Sequence, residues 1–223
     1  MTANFPIISA GMLAAYILGA VPVSYIVAKI FGGVDITRRG SGNVGATNVL
    51  RTVGRLPAAI ALAGDILKGA AAVTILAKVM YPAGAGMAYA DFRMLLGLCA
   101  ICGHIWTVFL KFKGGKGVAT SFGVALGLWP YFTVCALVAL AVWIAVVLTW
   151  RYVSLASISA AVVFPIALVA GILNLPHWHS ASLWPLVVAA IVIPILVIVR
   201  HRENIRRLVT GAESKVRSRT SES

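Results

Sequence analysis

Residues 119–149 read ATSFGVALGLWPYFTVCALVALAVWIAVVLT, an apolar run of 31 residues broken once, at Trp129-Pro130. How this run crosses a membrane decides the fold. A helix needs about 20 apolar residues to span the hydrocarbon core of a bilayer, so the run is too long for one span and short for two. Further candidate spans are residues 5–31, 56–80, 94–110, 153–173 and 181–199, the third being short and flanked by Arg93 and Lys111. Charge resolves the ambiguity, because Lys and Arg collect on the cytoplasmic side of membrane proteins. Placing the basic segments 32–55 and 111–118 inside puts the N-terminus and residues 81–92 outside. The chain after Val199 carries seven Lys and Arg and belongs inside too, so an even number of crossings separates Lys116 from Arg200. Residues 153–173 and 181–199 supply two, which leaves zero or two for 119–149. A tight hairpin turning near Pro130, with one short or re-entrant helix and one fuller one, meets that requirement and places Arg151 inside. The expected fold class is all-α, a polytopic membrane helix bundle of about seven transmembrane segments, N-terminus outside and C-terminus cytoplasmic. Five segments plus a re-entrant pair is the alternative.

Composition supports a membrane chain. Of 223 residues, 61% are hydrophobic and 11% charged, with a mean hydropathy of +0.96. Soluble domains carry about 25% charged residues. No stretch resembles a soluble linker, so residues 1–223 are expected to form a single integral membrane domain with a short basic cytoplasmic tail from about residue 200. The net charge of +13 fits basic loops meeting anionic lipid, and it also fits anionic substrates. All of the 19 Lys and Arg except Lys29, Lys68, Lys78 and Arg93 fall in the four segments assigned to the cytoplasm. No basic residue precedes Lys29, so the first segment is expected to be a retained span and not a cleaved signal. Cys99, Cys102 and Cys135 all lie in apolar runs and give no disulfide framework. Cys99 and Cys102 with His104 do not make a metal site, because a closed site wants four ligands and no second cluster exists.

Three polar segments interrupt the apolar chain, and the topology puts them on one face. They are Gly40-Ser-Gly-Asn-Val-Gly-Ala-Thr-Asn-Val-Leu-Arg51, Lys111-Phe-Lys-Gly-Gly-Lys-Gly-Val-Ala-Thr-Ser121 and Arg200-His-Arg-Glu-Asn-Ile-Arg-Arg207. Lipid-facing backbone must satisfy its own hydrogen bonds, so glycine-rich non-helical stretches belong in water or along a polar cavity. Exposed backbone N–H groups beside Lys and Arg are also what a phosphate binds. In the first segment Ser41, Asn43, Thr47 and Asn48 offer hydroxyls and amides. Asn48 and Arg51 are one helical turn apart, and a guanidinium fork suits phosphate better than an ammonium. A solvated loop capping the next helix is the competing reading.

The second segment, Gly114-Gly115-Lys116-Gly117, is not a nucleotide-binding loop. The four-residue spacer is missing, Gly follows the lysine, and no strand precedes it. An anion nest and a flexible basic loop both remain open. His104, about two turns earlier, fits a hydrogen bond to a neighbouring helix as readily as a substrate contact. Asp65 and Lys68, spaced i, i+3 inside a span, explain each other as an ion pair and suggest a supporting role. In the third segment His201, Asn204 and Arg207 recur along one helical face. Histidine exchanges protons near neutral pH and an asparagine amide holds an oxyanion. An interfacial helix facing lipid headgroups is the alternative there.

Together the three segments resemble the bacterial acyl-phosphate-dependent glycerol-3-phosphate acyltransferases. The likeness rests on Gly40–Arg51 with Asp65-Ile-Leu-Lys-Gly69, on Gly103-His104 through Thr120, and on Arg200-His-Arg-Glu-Asn-Ile through Gly211-Ala-Glu213. It covers nearly the whole chain, including the Arg151–Ser154 turn. Thr107 departs from it, standing where the family usually has proline, which puts the expected helix kink in doubt. The resemblance implies transfer of a fatty acyl chain from acyl phosphate to the 1-hydroxyl of glycerol 3-phosphate at the cytoplasmic face of the bacterial inner membrane. It implies no cofactor, no metal and no nucleic acid, with membrane lipid as surroundings. Ser41, Thr47, Asn48 and Arg51 match positions that bind the acyl-phosphate headgroup. Gly114, Gly115, Lys116 and Gly117 match the phosphate site for glycerol 3-phosphate, with His104 beside them. Ser154, His201 and Asn204 match residues at the reaction centre.

An acyl phosphate is already activated, so orientation and oxyanion stabilisation suffice for its reaction. No His is followed five positions later by Asp, which excludes the acyltransferases that use that pair. A transporter of an organic phosphate or other anion is the alternative function. It should show two related halves with matching interruptions, and no such repeat is visible.

Overall fold

The computed structural model describes residues 4–82, 87–178 and 183–216, and every regular element among them is helical. The chain folds as two compact units that divide between Thr133 and Val134.

In the first unit α1 (Phe5–Ala20) stops at Val21-Pro22, where the proline ring withdraws a backbone donor. The apolar stretch continues as α2 (Val23–Gly32), closed by Gly33 at φ 61°, whose N–H donates to the Ala28 and Lys29 carbonyls. A glycine-rich loop leads to the short α3 (Ala46–Thr52) and on to α4 (Arg55–Ala71). A π-helical turn at Ala72–Leu76 joins α4 to α5 (Ala77–Met80). This turn has a local cause in α6 (Tyr89–Ile105). Arg93 donates through Nε to the Val73 carbonyl at 2.7 Å, and through Nη2 to the Gly127 carbonyl. A side chain inserted beside the helical ladder is what widens one turn. α7 (Val118–Gly127) follows, and α8 (Tyr131–Trp150) begins here before running on into the second unit.

Small residues set the packing of this unit. α1 lies on α6 and α4 on α7. A Cβ at Gly19 would overlap the Ala100 backbone, and one at Gly123 the Ile66 carbonyl. Lipid gives no hydrophobic drive between helices, so close backbone approach replaces it. Under α2, α3 and α4 lies a core of Val27, Ile36, Val44, Val49 and Ala61, and a second core joins Ala15, Ala77, Phe92 and Leu96. Leu13, Ile30, Leu67, Ile75 and Val79 are exposed, which water would penalise and lipid accepts.

In the second unit α9 (Val153–Asn174) packs on α10 (Trp184–Arg200). Arg151, at φ 62°, makes the turn into α9, and the Val216 N–H donates to its carbonyl at 2.8 Å. That bond returns the C-terminal chain to the start of α9. α10 and α11 (Arg202–Val209) meet at a 59° bend whose corner is His201.

Among the described residues five stretches are long and apolar enough to cross a membrane: Phe5–Gly32, Arg55–Met80, Tyr89–Leu110, Tyr131–Trp150 and Val153–Asn174. The bent pair α10 and α11 makes a sixth. α7 has 10 residues, about 15 Å of helix, half the hydrocarbon thickness. The run 119–149 is therefore a short helix, a break at Leu128–Pro130 and a full-length helix. These lengths account for five or six of the seven expected segments in an all-helical, multi-pass fold. Residues 181–182 of the last expected span and 217–223 of the tail lie outside the described residues.

Candidate active site

The break in the first span begins the first polar cluster. Near Pro22 the Ala20 carbonyl accepts the Thr107 hydroxyl at 2.6 Å, and the Val21 carbonyl accepts Lys68 Nζ at 2.9 Å. Thr107 and Lys68 are both buried. Lys68 also pairs with Asp65 Oδ1 at 2.8 Å, one turn back on α4. The Ser24 hydroxyl donates to Asp65 Oδ2 at 3.0 Å, and His104 Nδ1 stands 3.5 Å from Oδ1. An ammonium, a hydroxyl and an imidazole nitrogen thus meet one buried carboxylate, the kind of pairing a low-dielectric site requires of a charge. Sequence alone shows Asp65 and Lys68 as a pair. Ser24 and His104, brought in from other spans, leave no local signal.

The two glycine segments border this cluster. A narrow pocket is lined by Ser24, Asp65, Lys68 and His104 together with Val44 of the first loop and Gly114-Gly115 of the second. The Gly114 and Gly115 N–H groups donate to the Ile105 and His104 carbonyls, each at 3.1 Å. The loop therefore completes the end of α6. Its closeness demands glycine: a Cβ on Gly115 would run into the His104 ring and come within 2.7 Å of the Val44 carbonyl. Gly117, at φ 85°, starts α7, and Lys116 before it is half-buried. Thr107, in place of the family's usual proline, does not prolong α6, which ends at Ile105 regardless. Its hydroxyl also caps the following turn, accepting the Phe109 N–H at 3.3 Å.

Asn48 organises the first loop from below. Its Nδ2 donates to the Ile36 and Arg39 carbonyls, and its Oδ1 accepts the Ser41 N–H at 3.0 Å. Thr47 and Arg51 share α3 with it, the first half-buried and the second exposed, as Ser41 is. Asn48 and Arg51 thus lie one turn apart on a helix as expected, while the Asn48 side chain faces the loop backbone.

In the second unit the organising group is Glu213, which the sequence marks only as the end of the Gly211-Ala-Glu213 stretch. Its Oε1 accepts the Ser154 hydroxyl and Asn204 Nδ2, each at 2.7 Å, and its Oε2 accepts Arg207 Nε at 2.7 Å. Burial pushes this carboxyl up, but the bonds from Ser154, Arg207 and Asn204 and the Arg207 charge outweigh it and hold the pKa below the ordinary value. Ser154 and Asn204, 50 positions apart, are so brought together on one carboxylate. His201 is 2% exposed and its Nδ1 lies 2.7 Å from the Val197 carbonyl. A carbonyl can only accept, so Nδ1 carries a proton and Nε2 is the nitrogen left to exchange one. The three residues matched to the reaction centre thus lie in one unit around the α10–α11 corner, and the remaining candidates lie in the other.

The sequence model described as glycerol-3-phosphate acyltransferase matches residues 9–211. The glycerol-3-phosphate acyltransferase of Trichlorobacter lovleyi is 43% identical over 92% of this chain and 95% of its own. That of Geotalea daltonii is 45% identical over 91% and 94%, and that of Geobacter sulfurreducens 44% over 92% and 95%. Among solved structures, PlsY (YgiH), an integral membrane glycerol 3-phosphate acyltransferase, matches in its glycerol 3-phosphate form with a TM-score of 0.79 at 37% identity, covering 94% of this chain and 96% of that one. Its lysophosphatidic acid form gives 0.77. Sequence and fold agree over nearly the full length: the chain belongs to the glycerol-3-phosphate acyltransferase family and is an integral membrane acyltransferase.

Proposed function

We propose that this enzyme transfers a fatty acyl group from acyl phosphate to the 1-hydroxyl of glycerol 3-phosphate, forming lysophosphatidate and inorganic phosphate. The observation that carries the reading is the pocket at which Val44 of the first glycine segment and Gly114-Gly115 of the second meet over Lys68 and His104. Two anionic substrates need cations to offset their repulsion, and the basic residues of the two glycine segments, Arg51 and Lys116, supply them. Residues 1–223 act as one membrane domain in the bacterial inner membrane, surrounded by lipid. The N-terminus is outside, and the active site and basic tail are cytoplasmic. Seven segments result when α7 counts as one.

In the first unit Ser41, Thr47, Asn48 and Arg51 hold the acyl-phosphate headgroup. Gly114, Gly115, Lys116 and Gly117, with His104, seat the phosphate of glycerol 3-phosphate. In the second unit Ser154 and Asn204, fixed by Glu213, orient the reacting groups. The 1-hydroxyl oxygen attacks the acyl carbon, the bond from that carbon to the phosphate oxygen breaks, and inorganic phosphate leaves. The hydroxyl proton passes to Nε2 of His201 or to a substrate phosphate oxygen. No acyl-enzyme forms on this route, so trapping one during turnover would overturn it.

The test uses purified protein in detergent with labelled glycerol 3-phosphate, offered palmitoyl phosphate or palmitoyl-CoA separately. Lysophosphatidate is expected from the first alone, and product from neither would remove the proposal. Arg51→Ala and Lys116→Ala should each lower kcat/KM by about 10- to 100-fold, the weight of a hydrogen bond to a charged group. Lys113→Ala, exposed at the membrane edge, should change it by less than about twofold, as ordinary surface substitutions do.

A further inference from the structure

Side chains from its own helix and from two other segments converge on the carboxylate of Asp65. Lys68 reaches it at 2.8 Å and the Ser24 hydroxyl at 3.0 Å, while His104 Nδ1 stands at 3.5 Å. Asp65 is 2% exposed and His104 7%. The opposite nitrogen of the same ring, Nε2, faces Gly115, since a Cβ there would collide with it. One edge of the imidazole is thus turned to a fixed negative charge, and the other to the glycine loop lining the pocket.

We infer that Asp65 is a positioning residue for the glycerol-phosphate subsite, acting through His104. The inference deepens the proposed function and rests on it. Asp65 keeps a proton on Nδ1 and turns Nε2 towards the pocket, where it meets an oxygen of glycerol 3-phosphate. A carboxylate behind an imidazole fixes which nitrogen bears the proton and stabilises the ring when it becomes charged. The separation of 3.5 Å is long for a hydrogen bond, and such contacts tighten when the ligand arrives. Lys68 and Ser24 serve this geometry. The lysine offsets the buried charge and ties it to the Val21 carbonyl at the span break. The serine fixes the second carboxylate oxygen, so the carboxylate cannot turn away from the ring.

The test compares the detergent-purified wild type with Asp65→Asn and Ser24→Ala. Binding of glycerol 3-phosphate is measured by calorimetry, and KM is measured for each substrate separately. Asp65→Asn should weaken glycerol 3-phosphate binding and raise its KM by about tenfold, the effect of losing a second-layer partner. KM for the acyl donor should stay within about twofold. Ser24→Ala, which keeps the charge and removes one bond, should raise the same KM by about threefold. A purely structural role would lower yield and thermal stability while leaving the two KM values in their wild-type ratio. That result in either variant overturns the inference, and Ser24→Ala decides it if Asp65→Asn does not fold. The calorimetric arm needs no turnover. A wild type that binds glycerol 3-phosphate with no acyl transfer defeats the proposed reaction, and one that binds it equally well with Asn at 65 defeats this inference.

Discussion

Glu213→Ala is expected to lower the stability of the folded protein by about 3 kcal/mol, the cost of removing a buried carboxylate and the bonds it accepts from three side chains. Its kcat/KM should fall by about a hundredfold, because a misplacement of about 1 Å has that effect on an oriented reaction. The side chain of Glu213 is 4% exposed and accepts from Ser154, Asn204 and Arg207 at once. Removing it frees two of the residues assigned to the reaction centre and strands the Arg207 guanidinium. Glu213→Gln should fall between. Its amide oxygen replaces Oε1 for Ser154 and Asn204, but its NH2 confronts the Arg207 donor.

The same group sets a pH dependence. The Glu213 pKa in the folded protein lies below its ordinary value of 4.5. A group held lower in the folded state contributes stability that is fully present above the unfolded pKa and is lost as pH falls through the folded one. Thermal melts of the wild type should therefore weaken as pH drops below about 4.5, and Glu213→Gln should lack that part of the decline. Melts of equal slope in the two proteins would show that the carboxylate contributes nothing there.

The second large effect is at Gly115. Gly115→Ala introduces a methyl group that meets the His104 ring and approaches the Val44 carbonyl to 2.7 Å. The contact is with a buried ring and a backbone group, so the loop must shift, and its bond to the His104 carbonyl shifts with it. We expect kcat/KM to fall by about a hundredfold, close to 3 kcal/mol in the transition state. Insertion into the membrane and far-UV circular dichroism should change little, since the substitution lies in no helix. Activity within about threefold of wild type would show that the loop tolerates displacement.

Much of this was legible in residue pattern. Trp129-Pro130 marked the short-then-full division of 119–149, because proline lacks the backbone donor that carries a helix onward, although Pro165 and Pro194 are held inside α9 and α10. The i, i+3 spacing of Asp65 and Lys68 announced their ion pair. What stayed hidden were partners set by tertiary approach. Asn48 has the spacing of a substrate ligand beside Arg51, but its amide is bonded to the backbone of residues 36, 39 and 41, and backbone groups carry no sequence signal. Ser24 is 41 residues from the carboxylate it binds, and Ser154 is 59 from Glu213. Thr107 raised a different question. Its place at the family's usual proline put a helix kink in doubt; α6 ends at Ile105, and the Thr107 hydroxyl beyond it donates to the Ala20 carbonyl of another helix.

The break at Pro22 also constrains the order in which the protein can be built. The Ala20 and Val21 carbonyls bond to Thr107 and Lys68, donors that follow them by 87 and 47 residues in the chain. A ribosome feeding the first span into the bilayer has not yet made either side chain. The first span therefore enters the membrane with its mid-chain break only partly satisfied, the Val21 carbonyl by the Val23 N–H and neither carbonyl yet by its later side-chain donor, where unmet polar backbone is costly. Its final form waits for the second and third spans, so maturation of this end of the protein is a late event in biogenesis although it is the first part translated.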